Sequence, residues 1–104
     1  MMTFEMRIYD GALLDIETIA DYYERQAPLL GMKFKHRVEE EITRLSYHPF
    51  IYQIAFDDVR RSLIPRFPYA IAYRVVEATV FIDGVVPTKS SPRKTMEILK
   101  NRQS

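Results

Sequence analysis

Arg60-Arg61-Ser62-Leu63-Ile64-Pro65-Arg66-Phe67-Pro68-Tyr69-Ala70-Ile71-Ala72-Tyr73-Arg74-Val75 holds two extended runs on either side of a proline-bounded turn. Val59 to Ile64 reads as a short strand. Pro65 interrupts it, and Phe67-Pro68 places a tight turn or strand edge there, because proline cannot donate to a ladder. Tyr69, Ile71, Tyr73 and Val75 then alternate with Ala70, Ala72 and Arg74, the period of a half-buried strand. The stretch is a β-hairpin that carries four arginines. A hairpin that only had to fold would not need so much positive charge. The guanidinium groups are therefore expected to face water, an acidic partner or a nucleic acid.

The same reading extends outward. Glu77-Ala78 makes a turn, and Thr79 to Val86 is close to all-apolar, a strand covered on both faces. Pro87 to Pro92 is a polar loop, and Pro92 to Leu99 forms a short closing helix. Upstream, Phe4 to Tyr9 alternates, with Phe4, Met6 and Ile8 on one face and Glu5 and Arg7 on the other. Asp10-Gly11 ends that strand, with Asp10 placed to N-cap a helix. Ala12, Ile16, Ile19, Ala20 and Tyr23 fall at helical spacing and predict a helix over about 11–27. Pro28 separates it from a second helix with Phe34, Val38, Ile42 and Leu45 on its inner face, ended by His48-Pro49. Phe50 to Phe56 is apolar without a clear period, and Asp57-Asp58 reads as a turn. The order is β-α-α-β-β-β. The expected fold is α+β, one domain over residues 1–104, an antiparallel sheet with a helical hairpin packed on one face. Val38, Ile42, Ile71, Tyr73 and Ile82 are its expected core.

Composition narrows the function classes. A chain of 104 residues with 47% hydrophobic side chains holds a core without staples. The absence of cysteine excludes a disulfide framework, a thiol nucleophile and thiolate zinc sites, and fits a reducing cytoplasm. No apolar leader or membrane-length run occurs, so a soluble cytoplasmic protein with no membrane partner is expected. The net charge of +1 hides an asymmetry. Residues 1–56 hold six Lys/Arg against nine Asp/Glu, a net of −3, and residues 57–104 hold nine against five, a net of +4. A basic C-terminal half asks for an anionic partner.

Most catalytic patterns are missing. His36 and His48 are the only histidines, and without cysteine no metal-ligand spacing exists. Gly11, Gly31 and Gly84 build no phosphate loop. Glu39, Glu40 and Glu41 point in successive directions round a helix and read as a solvated face, not a catalytic pair. No cofactor, metal or small-molecule partner is expected. What remains is a basic constellation of Arg60, Arg61, Arg66, Arg74, Lys89, Arg93 and Lys94, expected to form a target-binding surface. Arginine forks match the oxygens of phosphate and carboxylate. Tyr69 and Tyr73 point away from Arg74 and read as core aromatics.

With these elements in order, the chain resembles the RelE/ParE family of toxins from bacterial type II toxin–antitoxin systems, its ParE-like branch in particular. The resemblance covers roughly residues 5–99. It rests on Ala12 to Tyr23, with Asp15-Ile16 and Tyr22-Tyr23, on Phe34 and Leu45, and on His48-Pro49-Phe50. It is strongest at Val59-Arg60-Arg61 and at Arg66-Phe67-Pro68-Tyr69-Ala70-Ile71-Ala72-Tyr73-Arg74-Val75. The resemblance implies a small toxin of the plasmid-stabilisation kind, covered by a cognate antitoxin. RelE-like members cut messenger RNA on the ribosome with basic residues and often a C-terminal tyrosine or histidine. ParE-like members are not nucleases and poison DNA gyrase. Many members close the last strand with a histidine and a basic-acidic-proline run, where this chain has Pro87-Thr88-Lys89-Ser90-Ser91-Pro92. No histidine follows His48 and no tyrosine follows Tyr73. The proton-transfer group that RNA cleavage needs is thus missing from the expected place. The expectation is a gyrase-directed inhibitor and not an enzyme. Were the chain an endoribonuclease, Arg60, Arg61 and Arg74 would stabilise the phosphorane. A third expectation is a non-toxic relative that only binds a partner.

Overall fold

A computed structural model of the chain describes residues 3–103. Strand β1 (Glu5–Ile8) leads into helices α1 (Asp10–Gln26) and α2 (Leu30–Tyr47). Strands β2 (Ile54–Phe56), β3 (Val59–Leu63), β4 (Tyr69–Val76) and β5 (Thr79–Pro87) follow, and helix α3 (Pro92–Gln103) comes last. The sheet order is β1-β5-β4-β3-β2. The α+β class and the helical hairpin on one face are as expected. Two details differ. The irregular segment before Asp57 contains a three-residue strand, β2, at the sheet edge. The sheet is also mixed, because β1 runs parallel to β5, from Glu5 opposite Thr79 to Ile8 opposite Ile82. The remaining pairs are antiparallel. The helical hairpin carries the chain from the β1 edge to the β2 edge, so β1 enters beside the last strand of the meander and closes its open side.

The predicted alternation of β4 places Ile71 and Tyr73 under the hairpin. They pack with Ala12, Ile19 and Ala20 of α1, with Phe34, Val38 and Leu45 of α2, and with Val80, Ile82 and Val85 of β5. Of the five expected core residues, Ile42 alone is half-buried, packed against the rim of this cluster. Phe67 wedges its ring between Tyr23 at 5.0 Å and Phe34 at 5.2 Å, both edge-to-face, so the β3–β4 turn is stitched to both helices. The helices approach closely at Gly31, where a Cβ atom would lie 2.4 Å from the Ala20 carbonyl oxygen. Glu24 of α1 accepts from the amides of Leu29 and Gly31, each at 3.0 Å, and so satisfies donors that α2 leaves open at its start. Asp10 is not the α1 cap. Tyr9 holds that position without a side-chain bond, and Asp10 sits in the first turn.

The opposite sheet face is covered in part by α3, whose Leu99 meets Val59, Ala72 and Phe56. Ser91 caps this helix by accepting from the Lys94 amide at 3.1 Å, with Pro92 as its first residue. One irregularity shapes this face. Ala72 pairs with Gly84 and Tyr73 with Ile82, so Asp83 has no opposite number on β4. Such a bulge re-aims a side chain, and here it turns Asp83 toward the α3 side. Among the described residues no helix is long and apolar enough to cross a membrane.

Candidate functional site

Strand register decides where each arginine goes. Arg60 and Ser62 stand opposite Tyr73 and Ile71, so they face the helical hairpin, whereas Arg61 stands opposite Ala72 and faces α3. Arg60 donates to the Tyr52 carbonyl and lies 5.2 Å over the Phe50 ring. Tyr73 donates to the Pro49 carbonyl at 2.7 Å, and burial pushes its phenol up to about 12. Both bonds tie down the segment between α2 and β2. Glu41 joins them from below. It is 5% exposed and accepts from Ser62 Oγ at 2.6 Å and from Tyr52 Oη at 3.4 Å, with Arg44 at 3.8 Å. The expected solvated face therefore holds for Glu39 and Glu40 and fails for Glu41. Glu41 falls between Val38 and Leu45 on the buried stripe, at helical spacing from each. That spacing was the available signal.

Arg61 and Arg74 are engaged on the other face. Arg61 donates to the carbonyls of Ser90 at 2.9 Å and Thr88 at 2.7 Å and so holds the β5–α3 loop. Arg74 makes a fork to Asp83, at 2.8 and 3.0 Å, and reaches the Tyr9 hydroxyl at 3.3 Å. Its guanidinium lies 5.3 Å over Phe81. The hydrogen bonds to Asp83 hold Arg74 above the ordinary guanidinium value, against the lowering effect of burial. This group lines a cleft of about 470 Å³ with Phe56, Leu99 and Lys100. The expectation that all the arginines form an outward basic surface is thus not how Arg60, Arg61 and Arg74 are used; each is half-buried on an internal partner. The partners are backbone carbonyls or a residue turned by a bulge, which no residue pattern records.

Arg66, Lys89, Arg93 and Lys94 are exposed. The Thr88 amide donates to the Pro68 carbonyl at 2.9 Å, which joins the β5–α3 loop to the β3–β4 turn. Arg66 and Lys89 therefore flank one end of the sheet, and Arg93 and Lys94 follow on the first turn of α3. Arg66 adopts a left-handed backbone, φ 72°, at a turn position that glycine would take without strain. Sequence reasoning missed Tyr9, whose hydroxyl meets Arg74 only because β1 lies along β5. Both histidines lie with α2: His36 is exposed, 3.7 Å from Glu40, and His48 follows the last turn. Among the described residues no cluster of three or more His, Cys, Asp or Glu could hold a metal ion.

Residues 7–91 match the family model of the ParE toxin of type II toxin-antitoxin system, parDE. Among solved structures, the fold is similar to a chain of the chromosomal ParDE TA system from P. aeruginosa, with TM-score 0.73 and 18% identity over 82% of this chain and 96% of that one. It is similar to a chain of the toxin-antitoxin complex RelBE2 from Mycobacterium tuberculosis, with TM-score 0.57 and 19% identity over 84% and 93%. A mutant of the E. coli toxin RelE in the free state gives TM-score 0.61 and 14% identity over 96% and 98%. No curated protein is detectably similar in sequence.

Proposed function

The chain belongs to the ParE toxin family of type II toxin–antitoxin systems, and from that premise we propose that it is a binding-type toxin, neutralised by a cognate antitoxin and directed at DNA gyrase. The similar ParDE and RelBE2 structures are toxin–antitoxin assemblies, which supports an antitoxin partner. The internal engagement of Arg60, Arg61 and Arg74 supports binding over RNA cleavage. A guanidinium that stabilises a phosphorane needs donors aimed at the scissile phosphate. Here two of the three arginines hold loops and the third holds a buried carboxylate. Of the expected basic constellation, the charge not held internally is Arg66, Lys89, Lys94 and Arg93 at one end of the sheet, with Arg93 3.7 Å from Glu97. Charge reversal there, Lys89→Glu with Lys94→Glu, is expected to abolish growth arrest on induced expression while the circular dichroism spectrum and melting temperature stay those of wild type. Undiminished arrest by that variant would rule out this surface.

One observation favours a second reading, a ribosome-dependent endoribonuclease. Tyr9 places a partly exposed phenol beside Arg74 in the cleft, a proton-transfer group supplied from the N-terminal side. On that reading Tyr9→Phe abolishes transcript cleavage. Wild-type growth arrest without new transcript ends would exclude it.

A further inference from the structure

The sheet edge opposite β1 carries an exposed apolar patch. Ile51, Ile54 and Leu63 are 49%, 52% and 54% exposed, and they line one shallow concavity of about 720 Å³ with Gln53, Ala55 and Arg61. Large apolar side chains gathered on one surface mark an interaction site, and an edge strand invites pairing with another chain. Among the described residues Arg61 is the one charge in the lining, and its two terminal nitrogens are engaged by the Thr88 and Ser90 carbonyls. Free charge lies at the two ends of this border instead. Strand β3 runs from the Asp57-Asp58 turn to the Pro65-Arg66 turn, and both aspartates and Arg66 are exposed. At about 3.3 Å per residue the two turns stand roughly 20 Å apart. Asp57 also lines the cleft that holds Lys100, so Asp58 is the acidic group of the border itself.

We propose that this border joins two copies of the chain about a two-fold axis. Ile51, Ile54 and Leu63 of one copy cover the same residues of the other, and Asp58 of each copy lies beside Arg66 of its partner. Charge complementarity carries the choice of occupant. A two-fold interface must be self-complementary. A border with an apolar middle and ends of opposite sign meets that condition when a second copy lies antiparallel along it. Other occupants fit less well. A polyanion meets Asp58 at one end and finds no free guanidinium in the middle. A uniformly acidic peptide is repelled at Asp58 and a uniformly basic one at Arg66. Three apolar side chains per copy and two exposed ion pairs make a small interface, so a dissociation constant of about 10–100 µM is expected. The assignment does not depend on which target the chain binds.

The test is sedimentation equilibrium on the full chain over a concentration range of about 1–500 µM, which brackets that constant. The wild-type mass is expected to rise from monomer to dimer and stop there, and to fall back as salt is raised. Ile54→Glu and Leu63→Glu are each expected to weaken association about tenfold or more. Asp58→Arg alone and Arg66→Asp alone set like charges against each other and remove the dimer. An equimolar mixture of these two variants regains a heterodimer, because each chain then supplies the charge that the other lacks. All four positions are exposed, and aspartate tolerates the left-handed backbone at position 66, so the melting temperature serves as the folding control. A monomer at every concentration overturns the proposal. So does undiminished association of Ile54→Glu, open-ended assembly beyond the dimer, or a mixture that stays monomeric. A monomeric wild type whose antitoxin binding is lost in Leu63→Glu gives the border to the antitoxin instead.

Discussion

At the scale of single residues, the arginines of β3 and β4 work as internal fasteners. Arg74 is 25% exposed and its partner Asp83 is 3% exposed by side chain, so the pair sits at the boundary of the protein interior. Removing one member of such a pair costs more than the pair contributes, because the other charge is left desolvated. Arg74→Ala is expected to destabilise by about 2–3 kcal/mol, below the range for a fully buried pair because Arg74 is partly solvated. Urea denaturation measures this, and Asp83→Ala added to Arg74→Ala should recover part of the loss. Tyr73 gives a pH signature. Its folded value of about 12 exceeds its unfolded value of 10.0, so the folded state favours the neutral phenol. The associated stability is complete below about pH 10 and is lost as pH rises toward 12. Tyr73→Phe should flatten that alkaline limb in urea titrations. It should also cost about 1 kcal/mol at neutral pH for the Pro49 carbonyl left unpaired.

At the scale of elements, the α1–α2 crossing depends on Gly31. A Cβ 2.4 Å from a backbone oxygen cannot be absorbed by a side-chain rotation, so the helices must separate. Gly31→Ala is expected to lower stability by about 1–3 kcal/mol despite its better helix propensity, as overpacking of a close contact does; a thermal melt checks it. What was legible in the sequence follows from periodicity. The inner faces of α1 and α2 and the alternation of β3 and β4 repeat over enough residues to be read, and so did the family. The three residues of β2 are too few to show a period. The parallel pairing of β1 with β5 is non-local and leaves no pattern in either strand. The bulge at Asp83 is one unpaired residue, yet it converts Arg74 from an outward charge into half of an ion pair. The candidate site was legible as a set of cations. Which of them are free to meet a partner depends on register and on backbone carbonyls, and became visible only with the fold.

At the scale of the whole molecule, the charge asymmetry between the sequence halves is partly mixed by the fold, because Lys33 and Arg37 of α2 line the same concavity as Arg66. Arg66 and Lys89 of the C-terminal half come together where the β3–β4 turn meets the β5–α3 loop, with Arg93 and Lys94 following on α3, while Lys100 lines the cleft at Arg74. On the proposed binding function, toxicity should depend on salt-sensitive contacts more than on chemistry at a buried site. The central claim is that the chain inhibits gyrase by binding. It is tested most directly by adding the purified protein to a gyrase supercoiling reaction and, in parallel, to ribosomes translating a messenger RNA. The account predicts that supercoiling is blocked, that antitoxin restores it, and that the transcript stays intact. Cleavage of the transcript on the ribosome with supercoiling untouched would contradict it.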